Sequence, residues 1–111
     1  MPEEAVEFGA MLRRLIKEAG MTQEVFYKQI NIKKPYFYDI LKGSPPPPEL
    51  QIKCMDVLDA DLDARRRFYD LSALLRNEVP ADVSMAINKD PGLIKQIRAL
   101  MDSSSKKGEQ K

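Results

Sequence analysis

The chain has 111 residues, 43% hydrophobic and 32% charged, with one cysteine, no histidine and a formal charge of +1. That length suits one domain with a modest core, and a lone cysteine, Cys54, excludes an internal disulfide. A protein held to nucleic acid by bulk charge alone would be far more basic. No apolar run approaches the roughly 18 residues of a membrane span, and the acidic opening "MPEEAVEF" does not read as a secretion signal. The expectation is a cytoplasmic protein with no membrane partner.

Charge is unevenly spread. Residues 1–43 carry 7 basic and 6 acidic side chains, 44–64 carry 1 and 5, 65–79 carry 4 and 2, 80–102 carry 3 and 3, and 103–111 carry 3 and 1. Any nucleic-acid contact must therefore come from a local patch, used in two copies.

Taken in chain order, the elements are helical. Phe8, Leu12, Leu15, Ile16 and Ala19 form one stripe, and Gly20 stops it. Thr22 is a good N-cap for a second helix, "QEVFYKQI", with Phe26 and Ile30 on one face. Asn31 tolerates the left-handed conformation of a turn. "IKKPYFYDILK" follows, with Phe37 and Ile40 three apart and Gly43 at its end. "SPPPP" (44–48) reads as a stiff connector, with Pro48 usable in the first turn of a fourth helix marked by Leu50, Cys54, Val57 and Leu58. The acidic run 59–63 suits the start of a fifth helix, whose inward side is expected to hold Phe68, Leu71, Leu74 and Leu75. Pro80 and the pair Asp90-Pro91 mark two further starts, and Ile94, Ile97 and Met101 make a last stripe. Residues 103–111 have little to bury and are expected to be disordered. The fold class is all-α, a bundle of about five helices with extra C-terminal helices.

Between residues 21 and 43, two short helices joined by a three- or four-residue turn have the spacing of a helix-turn-helix. The string "MTQEVFYKQINIKKPYFYDILKG" resembles the lambda-repressor-like or XRE family of bacterial and phage regulators. Met21, Thr22, Gln23, Glu24, Phe26, Ile30, Ile32, Tyr36, Phe37, Ile40 and Gly43 fit its pattern, and the resemblance covers about residues 6–60. It implies a third helix lying in the DNA major groove. The DNA-facing set that it implies is Thr22, Gln23, Lys33, Lys34, Pro35, Tyr38, Asp39 and Lys42, with Gln23 on phosphate and the lysines on phosphate or guanine.

Four departures stand out. Tyr27 replaces a small residue where two helices approach, and Asn31 replaces a glycine. The ion pair common in relatives is replaced by two apolar residues, Ile16 and Leu41. Lys33 stands where a serine usually caps, and Pro35 is expected to delay the helix start by one residue.

Other chemistry finds little support. There is no Gly-rich phosphate loop and no convincing nucleophile arrangement, so no enzyme and no cofactor are expected. A single soft ligand argues against zinc. Asp56, Asp59, Asp61 and Asp63 lack the glycine and terminal glutamate of a calcium loop and read as helix caps. "RRR" (65–67) reads as a solvated helix face, and Cys54 as a small buried hydrophobe.

The reading is a DNA-binding transcriptional regulator, a repressor acting on double-stranded DNA as a homodimer. Residues 1–60 form the helix-turn-helix region, 61–102 the C-terminal helices packed on the same domain, and 103–111 a tail. Dimer contacts are expected from Phe68, Leu71, Leu75, Ile94, Ile97 and Met101. Two rivals remain: an antitoxin with a toxin partner, and a protein-interaction adaptor that does not bind DNA.

Overall fold

The computed structural model describes residues 2–109, with side-chain placement through residue 104. It contains seven helices: α1 (Glu3–Glu18), α2 (Gln23–Gln29), α3 (Lys34–Leu41), α4 (Pro48–Val57), α5 (Leu62–Arg76), α6 (Ala81–Lys89) and α7 (Gly92–Glu109). No strand occurs among the described residues.

The first five helices end in the same way. Gly20, Asn31, Gly43, Asp59 and Asn77 each follow a helix with positive φ, between 49° and 111°. At the first four the next residue's N–H reaches back five residues: Met21 to Ile16, Ile32 to Tyr27, Ser44 to Asp39 and Ala60 to Met55. After α5, Glu78 N–H does the same to Ala73. These left-handed caps satisfy carbonyls that a helix end leaves unpaired, and Asn and Asp adopt the conformation at modest cost. Starts are capped unequally. Thr22 Oγ1 accepts from Val25 N–H at 3.1 Å and Asp61 Oδ1 from Ala64 N–H at 2.8 Å.

The core lies between α1 and the helices wrapped on it. Phe8, Leu12 and Ile16 on α1 meet Phe37 and Ile40 of α3, Cys54 and Met55 of α4, and Phe68 and Leu71 of α5, all nearly fully buried. The Phe8 and Phe68 rings stack at 5.0 Å, tying α5 to α1. Ile16 and Leu41, the two apolar residues expected here, are both buried in this core, 2% and 5% exposed. Burial holds Cys54 as a neutral thiol, its pKa pushed up to about 12 by desolvation.

The proline connector is clamped rather than free. Proline offers only its carbonyl, and buried Gln51 donates through Nε2 to Pro46 O at 2.8 Å while Arg76 donates through Nη1 to Pro45 O at 3.0 Å. Arg66 and Arg67 of the "RRR" run are exposed, as a solvated face requires, and Arg65 is half-buried; two of the three are paired within the chain. Arg65 binds Asp56 at 2.6 Å and Ala60 O at 2.7 Å, and Arg67 pairs with Glu7 of α1.

The fifth helix, expected among C-terminal helices packed on the same domain, shares the core of the first four, because Phe68 and Leu71 fill the space over α1. Two expectations need correcting. Leu74, expected inward, is 67% exposed, because the inward stripe of α5 falls on Phe68, Leu71, Ser72 and Leu75. Residues 103–109 continue α7 instead of forming an unstructured tail, while Gln110 and Lys111 lie outside the described residues.

The molecule measures 55 × 32 × 23 Å with a radius of gyration of 16.8 Å. A compact chain of this length would have about 13 Å. The excess reflects α7, which packs against α6 and extends the long axis.

Candidate nucleic-acid interface

Two helices and four linking residues, 30–33, build the surface of interest. Thr22 starts α2 with its hydroxyl on Val25 N–H, and Gln23 follows, half-buried at the helix start. Asn31, at φ 59°, closes α2, and Ile32 packs down on the core. Lys33 is extended (ψ 158°) and turns the chain into α3. The expected one-residue delay does not occur: Lys34 is the first helical residue and Pro35 sits in the first turn. Pro35 contributes the fixed φ of a first helical turn without a cap from the preceding side chain. No side chain caps this helix, so its first turn presents uncovered amides beside two lysines.

Packing then orients α3. Phe37, Ile40 and Leu41 face the core. Phe37 is gripped by Phe26 at 5.9 Å and by Tyr27 at 5.4 Å, both tilted arrangements favourable for aromatic pairs. Tyr27 is thus accommodated as a half-buried lid on Phe37, which explains how a large residue replaces a small one at the helix crossing. The far end of α3 is set by two glycines. A Cβ on Gly9 of α1 would overlap the Leu41 carbonyl oxygen, and a Cβ on Gly43 would overlap Cβ of Ala5. Gly43 also holds φ 111°, so two independent reasons demand glycine there.

With its inner face fixed, α3 leaves Lys33, Lys34, Pro35, Tyr36, Tyr38, Asp39 and Lys42 exposed. Residues 34, 38 and 42 are spaced by four, so Lys34, Tyr38 and Lys42 share one ridge about 12 Å long. Lys34 Nζ lies 5.7 Å from the Tyr38 ring centroid, which holds the cation along the ridge. The helix that carries this ridge, about 10–12 Å across with its side chains, is of a thickness that the major groove of B-DNA, about 12 Å wide, admits.

Of the expected DNA-facing residues, Lys33, Lys34, Pro35, Tyr38 and Lys42 are all exposed, and Lys34, Tyr38 and Lys42 recur at helical spacing. Asp39 is exposed beside them, and its carboxylate would face phosphate unfavourably. Thr22 already uses its hydroxyl as a cap. Residues that position the ridge without touching it were harder to read. Gly9 carried only the weak signal of a glycine inside a helical pattern. Lys28, exposed at the end of α2, is paired with Glu24 at 3.1 Å.

The expected dimer contacts divide. Phe68 and Leu71, 0% and 1% exposed, complete the core and have no surface to offer. Leu75 is half-buried. Ile94, Ile97 and Met101 on α7 are exposed.

None of the described helices is long and apolar enough to cross a membrane. Searches among curated proteins and solved structures give no match. A family model described as a helix-turn-helix domain matches residues 7–68, more than half of the chain and the span that carries α2, its turn, α3 and most of the α1–α5 core around them. On that match and this geometry, the chain belongs to the helix-turn-helix domain family, whose members include DNA-binding regulators.

Proposed function

We propose that this chain is a sequence-specific DNA-binding transcriptional regulator of the lambda-repressor-like or XRE type, working as a repressor. In this reading α3 enters the major groove, Lys34 and Tyr38 reach base edges, and Lys33, Lys42 and Gln23 hold phosphates. The observation that carries it is the exposed Lys34–Tyr38–Lys42 ridge on a helix whose other face is locked by Phe37, Ile40 and Leu41. One module with so few cations makes few phosphate contacts, so two copies on a two-fold related operator supply the free energy. The reading assigns binding rather than catalysis to this surface.

The test selects bound fragments from the source genome with the purified protein, then titrates salt on the best fragment. Affinity should fall steeply with salt. Replacing Lys33 and Lys34 by alanine should weaken binding more than tenfold and flatten the salt slope by about one for each phosphate no longer neutralised. Weak, sequence-indifferent binding that ignores both lysines would instead support an adaptor. The uncapped α3 start and near-neutral charge favour that second reading. The antitoxin reading rests on the exposed apolar residues of α7, and co-purification of a toxin encoded beside this chain's gene would support it.

A further inference from the structure

Outside the DNA-facing ridge, apolar surface is left uncovered on α7 and on α5, among other places. On α7, Leu93, Ile94, Ile97, Leu100 and Met101 recur at helical spacing and form one stripe. Leu100 is 71% exposed and Met101 62%, and Ile94 and Ile97 are more than one-third exposed. The second place is the outer side of α5, centred on Leu74, 67% exposed. Leu74 is shared by two adjoining clefts. One is lined by Asp70, Ala73, Asn77, Glu78 and Pro80, the other by Pro2, Glu4 and Leu75. Among the described residues every ionisable group lining them is a carboxylate. Glu78 is held by Arg76 at 2.9 Å, which leaves Asp70 and Glu4 as the acidic rim.

We propose that these two surfaces are partners across two copies of the chain: α7 of one protomer lies along the Leu74 groove of the other, and the reverse, about a two-fold axis. The proposal rests on the homodimer of the preceding reading and adds its seat. Charge is complementary. At 100° per residue Arg98 borders the α7 stripe beside Ile94 and Met101, where it meets a rim of Asp70 and Glu4. Two reciprocal contacts bury on each partner twice the surface that one would. Pairing α7 with α7 alone would use one face per copy and leave Leu74 bare. A reciprocal contact is also self-complementary, as two-fold symmetry requires.

Sedimentation of the full-length protein without DNA, at micromolar concentration, tests this. The wild type should be dimeric. Leu74→Glu alone and Leu100→Glu with Met101→Glu should each be monomeric, with helicity unchanged by circular dichroism because all three positions are exposed. Mixing the two variants should restore association, since the groove of one and the α7 of the other remain intact. Arg98→Glu should weaken the dimer roughly tenfold, and adding Asp70→Arg should restore it. A monomeric wild type overturns the proposal. So does a Leu74→Glu variant that stays dimeric, because the groove is then not the seat. Lys33→Ala with Lys34→Ala should remain dimeric, so a wild-type dimer that fails to bind DNA overturns the DNA reading and leaves this one standing.

Discussion

Helices α1 to α5 and helices α6 to α7 differ in how their apolar residues are used. In the first group each helix ends on a left-handed residue and turns a stripe of apolar side chains toward the shared core. In the second, α6 is anchored through buried Ala81 and ends at Asp90 in extended conformation (φ −134°), and α7 carries its Ile, Leu and Met in the open. One amphipathic pattern therefore serves two ends. Where a glycine or a left-handed turn brings a second element within reach, the stripe becomes core. Where the chain simply runs on, the same stripe stays exposed. The inner face of α3 is locked by the core, while α7 packs against α6.

The largest test of the contrast removes equivalent groups from both regions. Phe8→Ala or Phe68→Ala deletes a stacked, buried ring and should cost about 3–5 kcal/mol, whereas Leu100→Ala should stay within about 0.5 kcal/mol in the monomer. Urea denaturation under monomeric conditions measures both, and a costly Leu100→Ala would show that α7 contributes to the core. Nearly as large is Ile16→Arg, which buries an unpaired charge and should cost about 3–4 kcal/mol. Adding Leu41→Glu should recover much of that loss. Strictly additive shifts in melting temperature would show that the two sites do not communicate.

Glycines sharpen the comparison further. Gly9→Ala drives a Cβ into the Leu41 carbonyl and should cost about 2–4 kcal/mol, with loss of DNA binding as α3 is displaced. Gly20→Ala meets nothing within 4 Å and should cost only the left-handed penalty, about 1 kcal/mol. Comparing their thermal melts separates close approach from backbone strain.

Cys54 gives a pH test of the same core. Its folded pKa, about 12, lies above the value of an unfolded thiol, near 8.5. Its contribution is therefore fully present below pH 8.5 and is lost as pH rises toward 12. The slope is about 1.4 kcal/mol per pH unit in that window, because the unfolded chain releases its proton first. Cys54→Val should reduce the drop in stability between about pH 8 and pH 10, and an unchanged drop would assign it to other groups. At neutral pH the thiol should react with aromatic disulfides only on unfolding.

The smallest effects concern the helix starts. Thr22→Ala should cost about 1 kcal/mol by removing the α2 cap. Lys33→Asp should instead stabilise the fold by about 0.5–1 kcal/mol, supplying the cap that α3 lacks, while weakening DNA binding. A gain in stability with unchanged DNA affinity would remove Lys33 from the interface.

Much of the helix-turn-helix was legible in residues 21–43. Thr22 as cap, Asn31 and Gly43 as stops and Phe26, Phe37 and Ile40 as inner faces follow from local rules that act within a few residues. The start of α3 lies one residue earlier than Pro35 suggests, because Lys33 takes the extended conformation and Lys34 joins the helix ahead of the packed Phe37. The two arginine pairs to Asp56 and Glu7 were invisible, since 9 and 60 residues separate the partners. The candidate ridge was readable as residue types, but its orientation depended on Tyr27 and Gly9.

By itself, the sequence determined the helical class, the positions of the turns and which residues could cap or break a helix, because these depend on torsional preference and short-range hydrogen bonds. The tertiary structure alone decided which apolar stripe is core and which is surface. Phe68 and Leu71 had the same periodic signature as Ile94 and Met101, yet only the first pair found α1 opposite. Burial belongs to the partner a stripe meets, and that partner is set by chain geometry beyond the reach of local pattern.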